Sequence, residues 1–419
     1  MPTRRILLVA QIAPPSQLSA ARRVAGLTRH LARLGHEVTV LTSMLSGGGP
    51  IDGAVRVVRT RDLLVSGINW RRENFAALEG SAATSDYAPP SRVATLLVPD
   101  PAIVSWLPFA LPRALRLAPA ADCAITTAPA RSAHLIGLAL QRRGMPWIAD
   151  FRDGWRYEDQ RAAWAHAILD RTDGALERAV VRGADVCVGV TRPITRDLRD
   201  RLGAARAETI PNGFDRDELD ATAAAAATPA GNGHHTVVHT GSLAYGGRDP
   251  RPVVDALRLL RDEDPATAAR LLVLFAGPVS AAERAAIEAP DLEGRARALG
   301  SLPRSEALAL QRAAGTLLLI SGDEQVSIAT GKLYEYLAAG RPILVLGERS
   351  EAARLVREAN AGIVTAARDP RAIADALRAM LRTSGSVAGR ADVERFSYAR
   401  IAEQVAMVVE RAISARAAR

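Results

Sequence analysis

Lysine and glutamate side chains stand three residues apart at the start of a predicted helix, within the stretch SIATGKLYEYLAAGRP (327–342). The loop SIATG ends at a helix N-terminus, whose unpaired backbone N–H groups and dipole favour a phosphate group. Lys332 is the only lysine in the chain, and it offers a compact, flexible ammonium group at that point. Glu335, one turn deeper on the same face, can accept two hydrogen bonds from a vicinal diol such as a ribose. The alternative is a solvated Lys–Glu pair on a surface helix.

A second set of polar residues follows two predicted strands in the N-terminal half, CAITT (123–127) and PWIADF (146–151). Ligands of an open α/β sheet bind at the carboxyl ends of its strands. The residues so placed are Thr127, Arg131, Ser132, Asp150, Arg152 and Asp153. They belong either to a binding site or to an Asp–Arg–Asp ion-pair cluster that shapes the loop. His134 lies on the apolar face of the intervening helix, where it is either a core histidine or a ligand contact.

Alternating apolar runs and amphipathic stretches would position both sets. Residues 4–10 are predicted to form a buried strand, residues 20–34 a helix capped by Ser19, and residues 36–43 a second strand. This is a βαβ unit, and its repetition implies a doubly wound parallel sheet. The alternation restarts at TVVHTGS (236–242), which predicts a second sheet of the same kind.

Composition narrows the class of protein. The net charge of +9 and pI near 10.4 are compatible with nucleic acid, an anionic membrane face or anionic small substrates. Aromatic residues make up only 4% and the basic residues are interleaved with acids, which argues against nucleic acid as a partner. No apolar run approaches 18 residues, so no membrane-spanning helix is predicted. The N-terminal RRILLVA run is predicted to be a strand rather than a signal peptide, which favours a cytoplasmic protein.

The cysteines, the spacing of possible metal ligands and the glycine pattern argue against several other classes of protein. Cys123 and Cys187 are isolated in apolar surroundings and are expected to be reduced. No cluster of histidine, cysteine and carboxylate has metal-binding spacing, so no metal site is predicted. The absence of a G-x-G-x-x-G segment argues against a dinucleotide dehydrogenase.

Three segments resemble the signatures of the family 4-like glycosyltransferases of the GT-B fold. They are PWIADFRDGW (146–155), TIPNGFD (209–215) and GKLYEYLAAGRPI (331–343). The resemblance covers nearly the whole chain and implies an α/β protein with two Rossmann-like domains facing across a cleft. It implies transfer of a sugar from a nucleotide-diphospho-sugar to an acceptor hydroxyl, with retention and with neither metal nor cofactor.

The resemblance also implies the domain boundaries. Residues 1–215 would form an acceptor-binding domain and residues 236–397 a domain that binds the nucleotide-sugar. The final helix, within 398–419, would pack back on the first domain. The alanine-rich segment 216–235 is predicted to be a linker or insertion.

Donor-binding residues follow from the positions that match the family motif. Glu335 corresponds to the residue that binds the donor ribose, and Gly331 with Lys332 to the diphosphate site next to Thr330. Ser327 occupies a position where the family often has a second glutamate.

A second loop of the same domain completes the donor site. In the family, the loop after the first strand carries two cations that neutralise the diphosphate. Here Gly241 begins that loop, Ser242 takes the first cation position and Arg248 the second. Leu302 lies in a loop that resembles the family segment whose backbone binds the nucleobase.

On the acceptor side, Asp150 or Asp153 would orient or deprotonate the acceptor hydroxyl, and Arg152 would bind an acceptor phosphate. Lys332, Arg248, Asp153 and Asp150 are thus the predicted catalytic set. The other predicted acceptor contacts are Arg131, Ser132, Thr127, His134 and Ser19. The acceptor itself is a saccharide, a polyprenyl-linked molecule or a small molecule.

Two questions remain open at this level. Arginines within 60–119 alternate with Trp70, Phe75, Trp106 and Phe109, a pattern that indicates either contact with the inner face of an anionic membrane or ordinary packing against the sheet. A sugar-nucleotide epimerase of GT-B shape and a non-catalytic, membrane-associated binding protein are the alternative functions.

Overall fold

The chain forms two compact units. The computed structural model describes residues 2–16, 19–47, 49–51, 55–63, 93–158, 163–222, 233–243, 248–321, 326–382 and 390–418. The first unit contains the described residues up to Gly213 together with those from Tyr398 onward, and the second unit contains those of Phe214–Ser397.

The described part of the first unit contains a seven-stranded parallel sheet with the strand order β3-β2-β1-β4-β5-β6-β7. Its central strands are buried along almost their whole length, as expected for strands covered on both faces. The strands are β1 (Arg5–Val9), β2 (Glu37–Ser43), β3 (Arg56–Thr60), β4 (Cys123–Thr127), β5 (Trp147–Phe151), β6 (Val186–Gly189) and β7 (Ala207–Thr209).

Helices cover both faces of this sheet. Leu7 of β1 belongs to one apolar core and its neighbour Leu8 to another, because successive side chains of a strand point to opposite faces. The described helices are α1 (Ser19–Arg33), α2 (Ala102–Ser105), α3 (Leu107–Leu117), α4 (Ser132–Gln141), α5 (Ala167–Gly183), α6 (Arg192–Asp200) and, after the second unit, α15 (Tyr398–Ala417). The C-terminal helix α15 packs against α1, with both helices in the same core.

The second unit repeats this plan. Its described residues form a six-stranded parallel sheet with the order β10-β9-β8-β11-β12-β13. The strands are β8 (His235–Thr240), β9 (Leu271–Ala276), β10 (Ala296–Gly300), β11 (Thr316–Ile320), β12 (Ile343–Leu346) and β13 (Gly362–Thr365). The helices are α7 (Arg216–Ala221), α8 (Arg251–Glu263), α9 (Pro265–Arg270), α10 (Ala281–Ile287), α11 (Arg304–Ala313), α12 (Gly331–Ala339), α13 (Glu351–Glu358) and α14 (Pro370–Arg382).

The predicted fold class, two doubly wound parallel α/β domains, is confirmed. The segment 216–235, expected to be a linker or insertion, begins with α7, whose N-terminus is capped by the Asp215 side chain. It ends with His235, the first residue of β8. Residues 223–232 lie outside the described part of the chain.

The membrane-contact hypothesis fails at one of its residues. Trp106 is fully buried in the core of the first unit, and its indole Nε1 donates to Thr60 Oγ1 at 2.9 Å. At Trp106 the structure thus favours the other alternative, ordinary packing against the sheet, because an apolar ring of this size gains more from the core. Trp70 and Phe75 lie outside the described residues. Among the described helices, none combines the length and apolar character needed to cross a bilayer.

Candidate active site

The predicted loop and helix at Lys332 form as expected. Thr330 is the N-cap of α12 in an extended conformation, and Gly340 ends the helix in the left-handed region with φ 67°. The Thr330 side chain makes no capping hydrogen bond, and its buried Oγ1 has no hydrogen-bond partner within the described part of the chain. A Cβ added to Gly331 would meet no atom of the described residues within 4 Å. The start of α12 therefore leaves polar groups and space available for an anion.

The Lys332 side chain runs from the first turn of α12 to the end of β8. Its Nζ lies 3.4 Å from Nε2 of His239. His239 is fully buried, and its Nδ1 lies 3.0 Å from the carbonyl oxygen of Leu318 on the neighbouring strand β11. Burial and the adjacent positive charge of Lys332 hold the pKa of His239 well below its ordinary value. The imidazole is therefore neutral and can accept a hydrogen bond.

Gly241 leaves room for the ammonium group. It follows β8 with φ 103°, and its N–H donates to the carbonyl oxygen of Ala276 at 2.7 Å. A Cβ at this position would lie 2.7 Å from Nζ of Lys332. Glycine is required here for two reasons, the positive φ and the close approach of the ammonium group.

Ser242 and Arg248, which were both predicted to face the diphosphate, are joined by a hydrogen bond. Arg248 Nη1 donates to the carbonyl oxygen of Ser242 at 3.3 Å, and the positive charge of Arg248 contributes to the lowered pKa of His239. Arg248 also lines a cavity of about 10 Å³, room for roughly one water molecule. Ser321 and Thr330 line the same cavity. Two cations thus lie near the carboxyl end of β8, and one of them, Arg248, lines a small cavity together with two hydroxyl-bearing residues.

Glu335 is buried and engaged on both carboxylate oxygens. Arg304 Nη1 lies 2.8 Å from Oε1, and Gln311 Nε2 donates to Oε2 at 3.2 Å. Arg304 also bonds Glu218 of α7 at 3.0 Å. Burial alone would lower the pKa of Arg304. The carboxylates of Glu335 and Glu218 outweigh this effect and raise the pKa above its ordinary value. The carboxylate predicted to bind a ribose is thus held in place by an arginine at the start of α11.

The other predicted donor contacts lie on the same side of the second unit's sheet. Ser327 is buried in the loop that leads to α12. Leu302 is half-buried, between the end of β10 and the start of α11. Tyr336 of α12 binds the end of β8, where its hydroxyl accepts the Thr240 N–H at 2.8 Å.

In the first unit, Asp150 at the end of β5 is part of a buried ion pair. Arg23 of α1 donates to both oxygens of Asp150, at 2.9 and 2.8 Å, and Thr127 donates at 2.7 Å. Arg23 also donates to the carbonyl oxygens of Pro211 and Ile210. Burial acts to raise the pKa of Asp150, but Arg23 and Thr127 hold it below its ordinary value. Asp150 and Thr127, both predicted site residues, thus join α1, β5 and the 210–211 segment.

Asp153 and Arg152 differ from Asp150 in exposure. Asp153 is exposed, and Arg152 is half-buried with Nη1 donating to the carbonyl oxygen of Ala20 at 2.6 Å. Burial lowers the pKa of the Arg152 guanidinium, although the Asp153 carboxylate opposes this effect. Ala20 lies in the first turn of α1, whose neighbouring Ser19 has a side chain outside the described residues. Of the two predicted acids, only Asp153 is accessible to an acceptor molecule.

Ser132, a predicted acceptor contact, forms hydrogen bonds within the protein. Its backbone N–H and hydroxyl both donate to Asp100, at 2.9 and 2.6 Å, and Asp100 also accepts the Ala102 N–H at 2.9 Å. Asp100 thereby caps both α2 and α4, and this arrangement favours a structural role for Ser132. Arg131 is the half-buried residue before α4.

His134 lies inside the first unit. The ring is fully buried and stacks on Phe151 with a centroid distance of 4.7 Å. Nδ1 lies 2.8 Å from Thr126 Oγ1, and Nε2 has no hydrogen-bond partner among the described residues. Burial lowers the pKa of His134 to about 4. These contacts favour the core-histidine hypothesis over contact with a ligand.

Four functional neighbours were absent from the sequence predictions. They are Arg23, Asp100, His239 and Arg304, each of which contacts a predicted site residue from a different element. His239 carried a local signal, because a histidine in a buried strand must find polar partners. Across the described residues, no group of three or more histidine, cysteine or carboxylate side chains is arranged to hold a metal ion.

Sequence models of two families match the chain. The model described as Glycosyltransferase Family 4 matches residues 20–218, and the model described as Glycosyl transferases group 1 matches residues 234–383. Together the two matches cover most of both units. No curated protein sequence matches the chain.

Solved structures of similar fold cover the chain from end to end. Sucrose-phosphate synthase from Thermosynechococcus elongatus is 16% identical, with a TM-score of 0.67 over 98% of this chain and 100% of that one. The α,α-trehalose 6-phosphate synthase of Burkholderia multivorans is 15% identical, with a TM-score of 0.64 over 99% and 100%. HepE from Anabaena, solved with UDP, is 15% identical, with a TM-score of 0.62 over 97% and 99%.

Proposed function

Because this chain belongs to the family 4-like glycosyltransferases of the GT-B fold, we propose that it moves a sugar from a nucleotide-diphospho-sugar to an acceptor hydroxyl. The observation that carries the proposal is the position of Lys332. Its ammonium group lies at the start of α12, against Gly241 and within 3.4 Å of His239. A fixed cation beside a helix N-terminus is suited to a leaving diphosphate.

The proposed reaction proceeds with retention and without metal. The bond between the anomeric carbon and the diphosphate oxygen breaks, and the acceptor oxygen bonds to that carbon from the same face. The acceptor proton passes to the departing phosphate, so no protein nucleophile is needed. Lys332, Arg248 and the N-terminus of α12 stabilise the negative charge that develops on the diphosphate. This electrostatic contribution replaces the one that a divalent cation supplies elsewhere.

Glu335 is the proposed ribose contact. A carboxylate can accept hydrogen bonds from both hydroxyls of a vicinal diol. Its oxygens are engaged by Arg304 and Gln311, and each oxygen has more than one acceptor direction. We propose that Arg304 and Gln311 hold the carboxylate in the orientation in which it meets the ribose.

On the acceptor side, Asp153 is the proposed group that orients the hydroxyl, and Arg152 the proposed phosphate contact. The exposure of Asp153 supports this assignment. Asp150, with both oxygens engaged by Arg23, is assigned to positioning the loop that carries Asp153. The proposed setting is the cytoplasm, with a saccharide, a polyprenyl-linked molecule or a small molecule as acceptor.

Calorimetric titration tests the donor class. UDP, GDP, ADP, dTDP and inorganic pyrophosphate are titrated into the wild-type protein, with and without EDTA. UDP is the first ligand to test, because solved structures of HepE contain UDP or UDP-glucose. We expect one nucleoside diphosphate to bind and EDTA to leave its affinity unchanged. If no nucleoside diphosphate binds, the proposed function is wrong.

Glu335→Ala then separates the ribose contact from general damage to the site. We expect about tenfold or more weaker nucleoside diphosphate binding, since a hydrogen bond to a charged group is lost. Pyrophosphate affinity should stay at the wild-type value, because pyrophosphate has no ribose. Glu218→Ala is the matched control, since it removes the other carboxylate that contacts Arg304. Equal losses in the two variants would contradict a ribose role for Glu335.

A further inference from the structure

His239 has hydrogen-bond partners that determine which ring nitrogen carries its proton. The carbonyl oxygen of Leu318, 3.0 Å from Nδ1, can only accept a hydrogen bond. Nδ1 of the neutral ring therefore carries the hydrogen, and Nε2 presents a lone pair. The Lys332 ammonium, 3.4 Å from Nε2, can only donate. These two contacts fit the tautomer that carries its hydrogen on Nδ1, and the ring also interacts with the backbone of Gly241.

From this geometry we infer that His239 is a positioning residue that holds the Lys332 ammonium at the start of α12. Leu318 fixes the imidazole, and the imidazole accepts one N–H of Lys332. Gly241 forms the other side of the ammonium site, since a Cβ there would lie 2.7 Å from Nζ. The role in diphosphate binding rests on the proposed function, whereas the contact between the two side chains does not.

Neutral histidine is suited to this task. A carboxylate in its place would neutralise the lysine and weaken its attraction for an anion. A neutral acceptor orients the ammonium without cancelling its charge. The position of His239 on a central strand, fully buried, adds rigidity, because its ring cannot move without disturbing β8 and β11.

The contact between His239 and Lys332 can be tested through the reactivity of the lysine, because Lys332 is the only lysine in the chain. An amine-directed acylating reagent can modify the N-terminal α-amine and Lys332, and peptide mass spectrometry separates the two sites. Three variants are compared with the wild type. His239→Asn retains a donor near the Nδ1 position but has no acceptor for Lys332. His239→Gln places an amide oxygen near the Nε2 position. His235→Asn is the matched control, since His235 is also on β8 but contacts Thr316 Oγ1 instead.

We expect acylation of Lys332 to be on the order of tenfold faster in His239→Asn than in the wild type, because a hydrogen bond from a charged group is lost. His239→Gln and His235→Asn should stay near the wild-type rate. Equal rates in His239→Asn and wild type would overturn the inference. So would an equal increase in His235→Asn, which would indicate general loosening of β8.

A measurement on the wild-type protein keeps the inference testable if the variants fail to fold. With ¹³C-labelled lysine the chain gives one side-chain CεH₂ signal, which should show a nuclear Overhauser effect to the ring protons of His239. Its absence would overturn the inference. Nucleoside diphosphate affinity of His239→Asn is measured in parallel and should fall. If the wild type binds no nucleotide while the acylation result holds, only the proposed function fails.

Discussion

Lys332 carries the only side-chain ammonium group of this protein, at the point where the leaving diphosphate is proposed to bind. Loss of a preorganised charge contact of this type costs roughly 3–4 kcal/mol of activation free energy. We therefore expect Lys332→Ala to slow turnover by at least about a hundredfold. The effect on donor affinity should be smaller, because the contact strengthens as the diphosphate departs. Single-turnover kinetics with saturating donor would measure this change.

Arg341→Ala provides the control for Lys332→Ala. Arg341 is exposed just beyond the other end of α12, so its removal deletes the same charge without touching the site. Its turnover should match the wild type. Unchanged turnover in Lys332→Ala would remove the lysine from the mechanism.

Single residues were predictable where their type was unusual for the position. Lys332 was recognisable as the sole lysine, placed in a first helical turn, and Glu335 by its spacing from it. Their partners His239 and Arg304 were not, because these contacts join elements that are distant in sequence. For Asp150 the sequence left a catalytic and an ion-pair role open. Its ion-pair partner, Arg23, lies on α1 and could be identified only from the fold.

Among the helices, α1 and α15 are in close contact at Gly26. A Cβ on Gly26 would lie 2.3 Å from the Tyr398 ring, closer than packed atoms can approach. We expect Gly26→Ala to destabilise the first unit by about 1–3 kcal/mol, since overpacking outweighs the better helix propensity of alanine. Each kcal/mol of lost stability should lower the melting temperature by roughly 2–4 °C. Tryptophan fluorescence can follow the unfolding of the first unit. No tryptophan in the chain comes after Trp164, and the described residues of the second unit begin at Phe214.

The control for this prediction is Arg22→Ala, on the exposed face of the same helix. It should change stability by no more than about 0.5 kcal/mol. Wild-type stability of Gly26→Ala would show that α15 does not pack closely against α1.

Central strands were predictable from sequence, whereas outer strands were missed. The runs that became β1, β4, β9, β11 and β12 are mostly apolar, because these strands are buried almost along their whole length. By contrast, β3, β10 and β13 lie at the edges of their sheets. They expose part of their residues, and this exposure removes the continuous apolar run. Edge position therefore decides which strands a sequence reveals.

At the scale of the whole molecule, the two-sheet architecture could be predicted because the alternation of strands and helices restarts at residue 236. The net charge was less informative. Many arginines are paired with carboxylates, such as Arg201 with both Glu177 and Asp197, so the excess charge indicates no particular surface. Composition also could not place Trp106, whose burial depends on where α2 and α3 pack against the sheet.

Protonation of buried histidines should make stability fall as the solution is acidified. Folding lowers the pKa of His134 to about 4, chiefly through burial, and lowers that of His239, His235 and His36 for the same main reason. In the unfolded chain a histidine titrates near 6.5. Between pH 6.5 and 4 the unfolded state therefore binds more protons, so the free energy of unfolding decreases as pH falls. His134 alone should lower the free energy of unfolding by on the order of 3 kcal/mol when the pH reaches 4.

Urea unfolding followed by tryptophan fluorescence at a series of pH values measures this slope in the first unit, where His134 lies. His134→Asn keeps an acceptor for Thr126 but cannot be protonated in this range, so its slope between pH 6.5 and 4 should be shallower than that of the wild type. His234→Asn is the control, because His234 is exposed and belongs to the second unit. Identical slopes in His134→Asn and wild type would mean that His134 is not neutral in the folded protein. The deeply buried core position assigned to it would then be wrong.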